Sequence, residues 1–256
     1  MLLRRIIPAL LIRDGGLVKT IKFSKERYIG DPINAVKIFN EKEVDELCLL
    51  DIGATSEGRS PAYNEINEIV SEAFMPVGYG GGIRTMDHIE RLFKIGVDKV
   101  IMNTAAFENE ALVKEASSVF GNQSIVISID IKKDLWGRYN VFTRSGKSKQ
   151  KIDMITAVKK MQDLGAGEII LNNIDRDGTM QGYDLEPINK ISTAIELPLV
   201  ALGGAASIDD FVAAINGGAA AVSAGSMFVF QGVHKGVLIS YITSDTLEKK
   251  LLKIQI

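Results

Sequence analysis

Short runs that are apolar on nearly every residue alternate along this chain with amphipathic stretches of about ten to fifteen residues. The apolar runs cover residues 6–12, 46–52, 76–80, 99–104, 125–131, 168–174, 198–203 and 220–225. A strand apolar on consecutive positions is one covered on both faces, the condition of a parallel sheet flanked by helices. Between the runs, Ile33, Val36 and Phe39 recur at helical spacing, and Leu92 and Phe93 follow Ile89 in the same way. Asp31 before Pro32 and Thr85 before Met86 stand where capped helices begin. Eight runs, each followed by a helical stretch, predict a closed (β/α)8 TIM barrel, with a doubly wound open sheet as the alternative.

A repeat favours the barrel. Glu46 and Glu168, Ile52 and Ile174, Pro76 and Pro198, Val100 and Val222, and Thr104 and Ser226 are all 122 residues apart. Gly81-Gly82 and Gly203-Gly204 keep the same offset. A constant separation across several strands and loops points to two duplicated half-barrels of four strands each. The expected organisation is one barrel domain spanning residues 1–256.

Composition narrows the function classes. Of the 256 residues, 30 are Lys or Arg and 32 are Asp or Glu, a net charge of −2 that argues against nucleic acid as a partner. The lone Cys48 cannot form an internal disulfide, and its apolar neighbours mark it as a small buried residue of a reducing compartment. The start, from Met1 to Pro8, has no signal-peptide order of regions, and no apolar stretch approaches membrane-spanning length. A cytoplasmic protein without membrane contact is therefore expected.

The duplication puts equivalent loops at two points of one barrel mouth. Gly80-Gly81-Gly82 and Gly203-Gly204 follow the third and seventh runs, and Asn103-Thr104 and Gly225-Ser226 end the fourth and eighth. Glycines at a strand-to-helix turn let backbone N–H groups approach a phosphate, and the helix start favours the anion. The same grammar occurring twice predicts two phosphates at opposite ends of one ligand; the plainer alternative is that these glycines only make tight turns. Asp51, Asp130 and Asn172-Asn173 close strands at the end where barrels place catalytic groups. Asp130 lies among apolar side chains, so desolvation can bring it into acid–base range. The alternative is a carboxylate held by Lys132 or Lys133. The two histidines, His88 and His234, fall in predicted outer helices, and no His, Cys or carboxylate set has metal-ligand spacing, so no metal and no cofactor are expected. Trp136 is expected to pack in a hairpin-like loop after the fifth strand.

Arg4-Arg5-Ile6-Ile7, Gly30-Asp31-Pro32, Leu50-Asp51-Ile52, Gly80-Gly81-Gly82-Ile83, Asn103-Thr104-Ala105-Ala106, Ile174-Asp175-Arg176-Asp177-Gly178-Thr179 and Gly203-Gly204-Ala205 appear in that order. In these motifs the chain resembles the HisF family, the cyclase subunit of imidazole glycerol phosphate synthase, over nearly its whole length. The resemblance implies a barrel that takes ammonia from a HisH-like glutaminase in a heterodimer. The ammonia attacks a bis-phosphorylated, ribulose-linked aminoimidazole carboxamide nucleotide, giving imidazole glycerol phosphate and an aminoimidazole carboxamide ribotide. It implies that Gly82, Asn103 and Thr104 hold one phosphate, and Asp177, Gly178, Gly204, Gly225 and Ser226 the other. Asp130 would be one of two catalytic carboxylates, with Lys19 reaching over the site from the loop after the first strand. Arg5, Glu46, Lys99 and Glu168 match a charged ring at the opposite mouth that gates ammonia. A plain structural plug is the alternative there.

One departure stands out. The family's first strand carries its other catalytic aspartate in a Cys-Leu-Asp-Val pattern, where this chain has Ala9-Leu10-Leu11-Ile12, so Leu11 replaces the acid. Gly78-Tyr79, Asn172-Asn173 and Leu202 also differ from the family's mouth residues. Retained phosphate grips beside an altered pocket favour a specialised relative that passes ammonia to another acceptor. A sugar nucleotide amidated with the help of a third protein in surface-polysaccharide synthesis is the leading expectation. The ordinary cyclase–lyase of histidine biosynthesis is the alternative, and a non-catalytic activator of a glutaminase is a third.

Overall fold

In the computed structural model, which describes residues 4–254, eight parallel strands close into a barrel. The first three residues of the start read above lie outside that range. In chain order the strands are β1 (Arg5–Arg13), β2 (Gly16–Ile21), β3 (Ser24–Gly30), β4 (Leu47–Asp51), β5 (Val77–Gly80), β6 (Lys99–Met102), β7 (Ile125–Lys133), β8 (Tyr139–Thr143), β9 (Ser148–Asp153), β10 (Glu168–Asn173), β11 (Leu199–Leu202) and β12 (Ala221–Ala224). The barrel runs β1–β4–β5–β6–β7–β10–β11–β12 and returns to β1. β2 and β3 extend β1 as an antiparallel ribbon, and β8 and β9 do the same for β7. The apolar pattern showed the barrel strands to within a residue or two. It did not show these ribbons, whose outer strands are exposed or half-exposed and carry no apolar run.

Helices start where the chain offers a cap. Asp31 accepts a hydrogen bond from the Asn34 backbone N–H at 2.9 Å, with Pro32 opening the helix Pro32–Glu41. Thr85 serves Met86–Lys94, Asp153 serves Met154–Asp163, and Ser207 with Asp210 forms a capping box for Ile208–Asn216. Among the described residues no helix is long and apolar enough to cross a membrane.

Among the described residues, the buried apolar side chains form two cores. The larger lies between strands and helices and includes Phe39, Leu49, Ile89, Ile129, Phe211 and Phe228. The smaller fills the inside of the barrel with Ile7, Ala9, Cys48, Ile101, Val126, Ile170, Val200 and Ala221, capped by Leu50 and Leu202. Cys48 is thus the buried small residue expected, and burial pushes its thiol up to about 12.

The strand pairing carries the duplication in its register. Leu11 pairs with Leu50 across β1 and β4, and Asp130 pairs with Asn172 across β7 and β10. Leu50 and Asn172 are 122 residues apart, the repeat offset, so Leu11 occupies the position in the first half that Asp130 holds in the second. Both half-barrels also follow their first strand with a hairpin ribbon.

Phe211 is fully buried, its ring 6.4 Å from that of Tyr183 and 6.0 Å from that of Phe228. Replacing it by alanine removes most of that packing. Phe211→Ala is expected to lower stability by about 3–5 kcal/mol, read from urea unfolding curves.

Candidate functional site

Side chains alternate across a strand, so every second residue of a barrel strand points inward. In β1 this places Arg5, Ile7, Ala9 and Leu11 at successive heights, from the N-terminal mouth to the C-terminal one. The same alternation stacks Glu168, Ile170 and Asn172 in β10, and Val126, Ser128 and Asp130 in β7. The interior therefore has a charged floor, an apolar middle and a mixed mouth.

At the mouth, one concave pocket is lined by every residue that the sequence singled out for substrate. Gly82, Asn103 and Thr104 lie on one side; Asp177, Gly178, Gly204, Gly225 and Ser226 lie on the other, and Lys19 and Asp130 also line it. Leu11 lines the same pocket, as its repeat relation to Asp130 requires.

Asp130 is 6% exposed. The Ser128 hydroxyl donates to its Oδ1 at 3.0 Å, and the Asn172 amide faces it from β10. Burial raises the carboxyl to about 7; the hydrogen bonds from Ser128 and Asn172 oppose that rise, and the charge of Asp177 adds to it. The alternative of a lysine-held carboxylate is corrected: Lys132 and Lys133 are exposed, and the Lys133 ammonium pairs with Glu186 at 3.2 Å.

The glycine loops show why no larger residue serves there. Gly204 has φ +116, and a Cβ on it would press on the backbone of Gly182. The Gly82 N–H donates to Thr55 Oγ1 at 3.2 Å, and the Asn103 amide donates to the Ser128 carbonyl at 3.0 Å. Thr104 Oγ1 accepts from the Arg144 N–H at 3.0 Å, which ties the β8–β9 turn to this side of the mouth.

The β2–β3 hairpin lies folded over the other side. Thr20 Oγ1 donates to Asp177 Oδ2 at 2.7 Å, and the Phe23 N–H reaches the same oxygen at 3.2 Å. The Lys22 N–H donates to the Asp177 carbonyl at 3.0 Å. Gly178 permits this contact, since a Cβ there would collide with the Thr20 carbonyl. Lys19 is carried into the mouth, where its ammonium donates to the Ala9 carbonyl at 2.5 Å beside Gly225. Burial pulls Lys19 down to about 8, against the raising effect of Asp177. The Asp177 carboxylate itself faces the hairpin, and burial raises it from the usual range.

At the opposite mouth, Arg5, Glu46, Lys99 and Glu168 close a ring. Arg5 bonds to Glu46 at 2.5 Å and to Glu168, and Lys99 bonds to Glu46 at 2.9 Å and to Glu168 at 3.1 Å. The carboxylates are almost fully buried, and Arg5 is about a third exposed. Burial alone would lower the Arg5 guanidinium, but the hydrogen bonds and charges of Glu168 and Glu46 leave it raised. Desolvation offsets much of the attraction in such a ring, so stability alone is a weak reason for it.

Two expectations fail and one is refined. His234 lies in a turn, not a helix, because Gly232 and Gly236 around it suit a hairpin. Trp136 is 76% exposed, with the Arg138 guanidinium over its ring, because the turn projects beyond the sheet. His88 is on a helix as expected, but half-buried, its ring within 3.2 Å of the Gly82 carbonyl, so it braces the first glycine loop from behind. Ser128 and Lys147 also line the pocket and were not singled out from the sequence. Ser128 sits two residues before Asp130 on an alternating strand, a spacing that could have found it. Lys147 comes from the ribbon, which the pattern does not reveal. Among the described residues no three His, Cys, Asp or Glu side chains are grouped to hold a metal ion.

With this geometry in place, the likeness to known proteins is close and extends over nearly the whole chain. The family model described as histidine biosynthesis protein matches residues 5–235. A protein of Leptospira interrogans named "Putative imidazole glycerol phosphate synthase subunit HisF" is 50% identical over 243 residues, covering 94% of this chain and 96% of that one. "Putative imidazole glycerol phosphate synthase subunit hisF2" of Pseudomonas aeruginosa is 48% identical over 94% and 96% of the two chains. The imidazole glycerol phosphate synthase subunit HisF of Sulfolobus acidocaldarius is 43% identical over 92% of each.

The raised Asp130 carboxyl has a consequence for stability. Ionising it is harder in the folded chain than in the unfolded one, so its penalty is absent below pH 4, grows between pH 4 and 7, and is complete above. Asp130→Asn is therefore expected to be more stable than the parent at pH 8 by on the order of a few kcal/mol, with the difference vanishing near pH 4. Urea unfolding at the two pH values checks this.

Proposed function

Because the chain belongs to the histidine biosynthesis protein family, and to its HisF branch, we propose that it is the barrel subunit of an imidazole glycerol phosphate synthase. In this reading a HisH-like glutaminase docks at the N-terminal face and releases ammonia beneath the Arg5–Glu46–Lys99–Glu168 ring. Ammonia is small and uncharged in its neutral form, and the dry interior of Ile7, Ala9, Ile101 and Ile170 suits it better than ammonium. It emerges at a bis-phosphorylated nucleotide gripped by Gly82, Asn103 and Thr104 at one end, and by Asp177, Gly178, Gly204, Gly225 and Ser226 at the other. Lys19 closes over the ligand, and the protein acts in the cytoplasm as one barrel unit.

The observation that carries this reading is the single pocket on which both glycine loops and Asp130 converge, directly above an apolar interior and a charged floor. A carboxyl titrating at about 7 can give and take a proton at neutral pH, so Asp130 supplies both acid and base in turn. The relatives' names favour this reading over the sugar-nucleotide acceptor and third amidating protein first expected from the sequence.

A second reading rests on Leu11, which removes one titratable partner, and on Asn172 and Leu202 in the same mouth. It assigns the ammonia to another phosphorylated acceptor. The two readings part in one assay, the family's bis-phosphorylated nucleotide with excess ammonium salt and no glutaminase. The parent protein is expected to turn the nucleotide over, Leu11→Asp to raise kcat by about 10²–10⁴-fold, and Asp130→Asn to abolish turnover in both. A silent parent beside an active Leu11→Asp would transfer the assignment to the other acceptor.

A further inference from the structure

The mouth holds one buried polar atom that the fold leaves without a partner. Asn172, 7% exposed, points inward from the end of β10 in register with Asp130. Its amide faces the Asp130 carboxyl, yet its Oδ1 makes no hydrogen bond. That oxygen lies against Gly203, where a Cβ would come within 3.1 Å of it. Buried polar groups in folded proteins are nearly always paired, so a bare amide oxygen at the foot of a glycine turn calls for a partner that binds there.

A carboxamide has an acceptor on one side and two donors on the other, and a half-turn exchanges them. As it stands, Asn172 offers its NH2 to Asp130 and leaves its oxygen toward the turn formed by Gly203 and Gly204. After a half-turn the NH2 points at that turn, where an anion would accept from it. The oxygen then faces Asp130 and is satisfied only if the carboxyl bears its proton. This orientation of the amide thus suits an ionised Asp130, and the turned one, with an anion at the glycine turn, suits a protonated one.

We propose that Asn172 is a positioning residue whose amide couples occupation of the anion cradle at Gly203 and Gly204 to the hydrogen-bonding state of Asp130. This rests on the anion-binding role given above to that loop. Asp130 takes up its proton as the ligand seats, in the acid form from which the exchange of protons starts, and returns to the ionised form once the cradle empties. The device exists in one half of the barrel only, because the repeat counterparts of Asp130 and Asn172 are Leu11 and Leu50.

Other groups around Asp130 are accounted for. Ser128 donates from the same strand, and Asp177 raises the carboxyl from the loop after β10. Lys19 from β2 lies beside Gly225 and interacts with Asp177. The neighbouring β8 places Phe142 opposite Asp130, and Asn103, following β6, spends its amide on the Ser128 and Phe142 carbonyls. Arg176 packs its Cβ toward Gly204 and turns its guanidinium to the Gln181 carbonyl.

The test is a carboxyl-carbon NMR titration of Asp130 in the full chain, from pH 5 to 9, with and without sulfate. Sulfate keeps its charge over this range, and Asp130→Asn identifies the resonance. Backbone amide shifts of Gly203 and Gly204 report whether sulfate occupies this cradle. Asn172→Leu is the comparison, and Leu50 at the repeat-related position shows that a leucine fits such a site. Sulfate is expected to raise the Asp130 midpoint by about one pH unit in the parent, and by less than about a third of that in Asn172→Leu. Equal shifts in both proteins would mean simple repulsion by the anion and would overturn the coupling. Unmoved Gly203 and Gly204 amides at saturating sulfate would overturn the cradle itself, and the coupling with it.

Discussion

A closed barrel of eight strands leaves each strand only a few inward positions, and that constraint governs everything inside this molecule. Alternation fixes which residues face in, and closure fixes how many layers they make. The floor receives Arg5, Glu46, Lys99 and Glu168, the middle receives aliphatic side chains and Cys48, and the mouth receives whatever remains at the strand ends. A change at one inward position cannot be absorbed by a neighbour, because each layer has no spare side chain. Leu11 in place of a carboxylate therefore changes the character of one side of the mouth rather than moving the acid elsewhere.

The mouth is accordingly divided. On the β7–β10 side stand Asp130, Ser128 and Asn172, all polar and mutually hydrogen-bonded or facing. On the β1–β4 side stand Leu11 and Leu50, paired in the same register. At this one level of the duplicated fold, the first half presents a pair of leucines where the second presents a carboxyl and a carboxamide. A ligand spanning the mouth meets aliphatic side chains beside β1 and β4, and a titratable carboxyl beside β7.

How far the sequence could be read follows from the same geometry. Buried parallel strands write themselves as apolar runs, so all eight barrel strands were visible, and the constant offset between halves made closure the better choice over an open sheet. The glycine loops and Asp130 were legible because strand ends in a barrel all open on one side. The ribbon β2–β3 was not, and of β8–β9 only a hairpin-like loop around Trp136 was expected, since an exposed hairpin has no apolar signature; with them went Lys147 and the exposure of Trp136. Nor could the pattern say what holds Asp130, because Ser128 and Asn172 become its neighbours only through alternation and register. The turn around His234 was hidden for the reason the ribbons were.

The docking of the β2–β3 hairpin joins the two halves in a way the strand order does not. The ribbon grows from the first half, but Thr20, Lys22 and Phe23 fasten it to Asp177 of the second. Lifting the ribbon from the mouth therefore breaks three hydrogen bonds to one residue of the other half, so the position of Lys19 and that of the Asp177 loop are tied together.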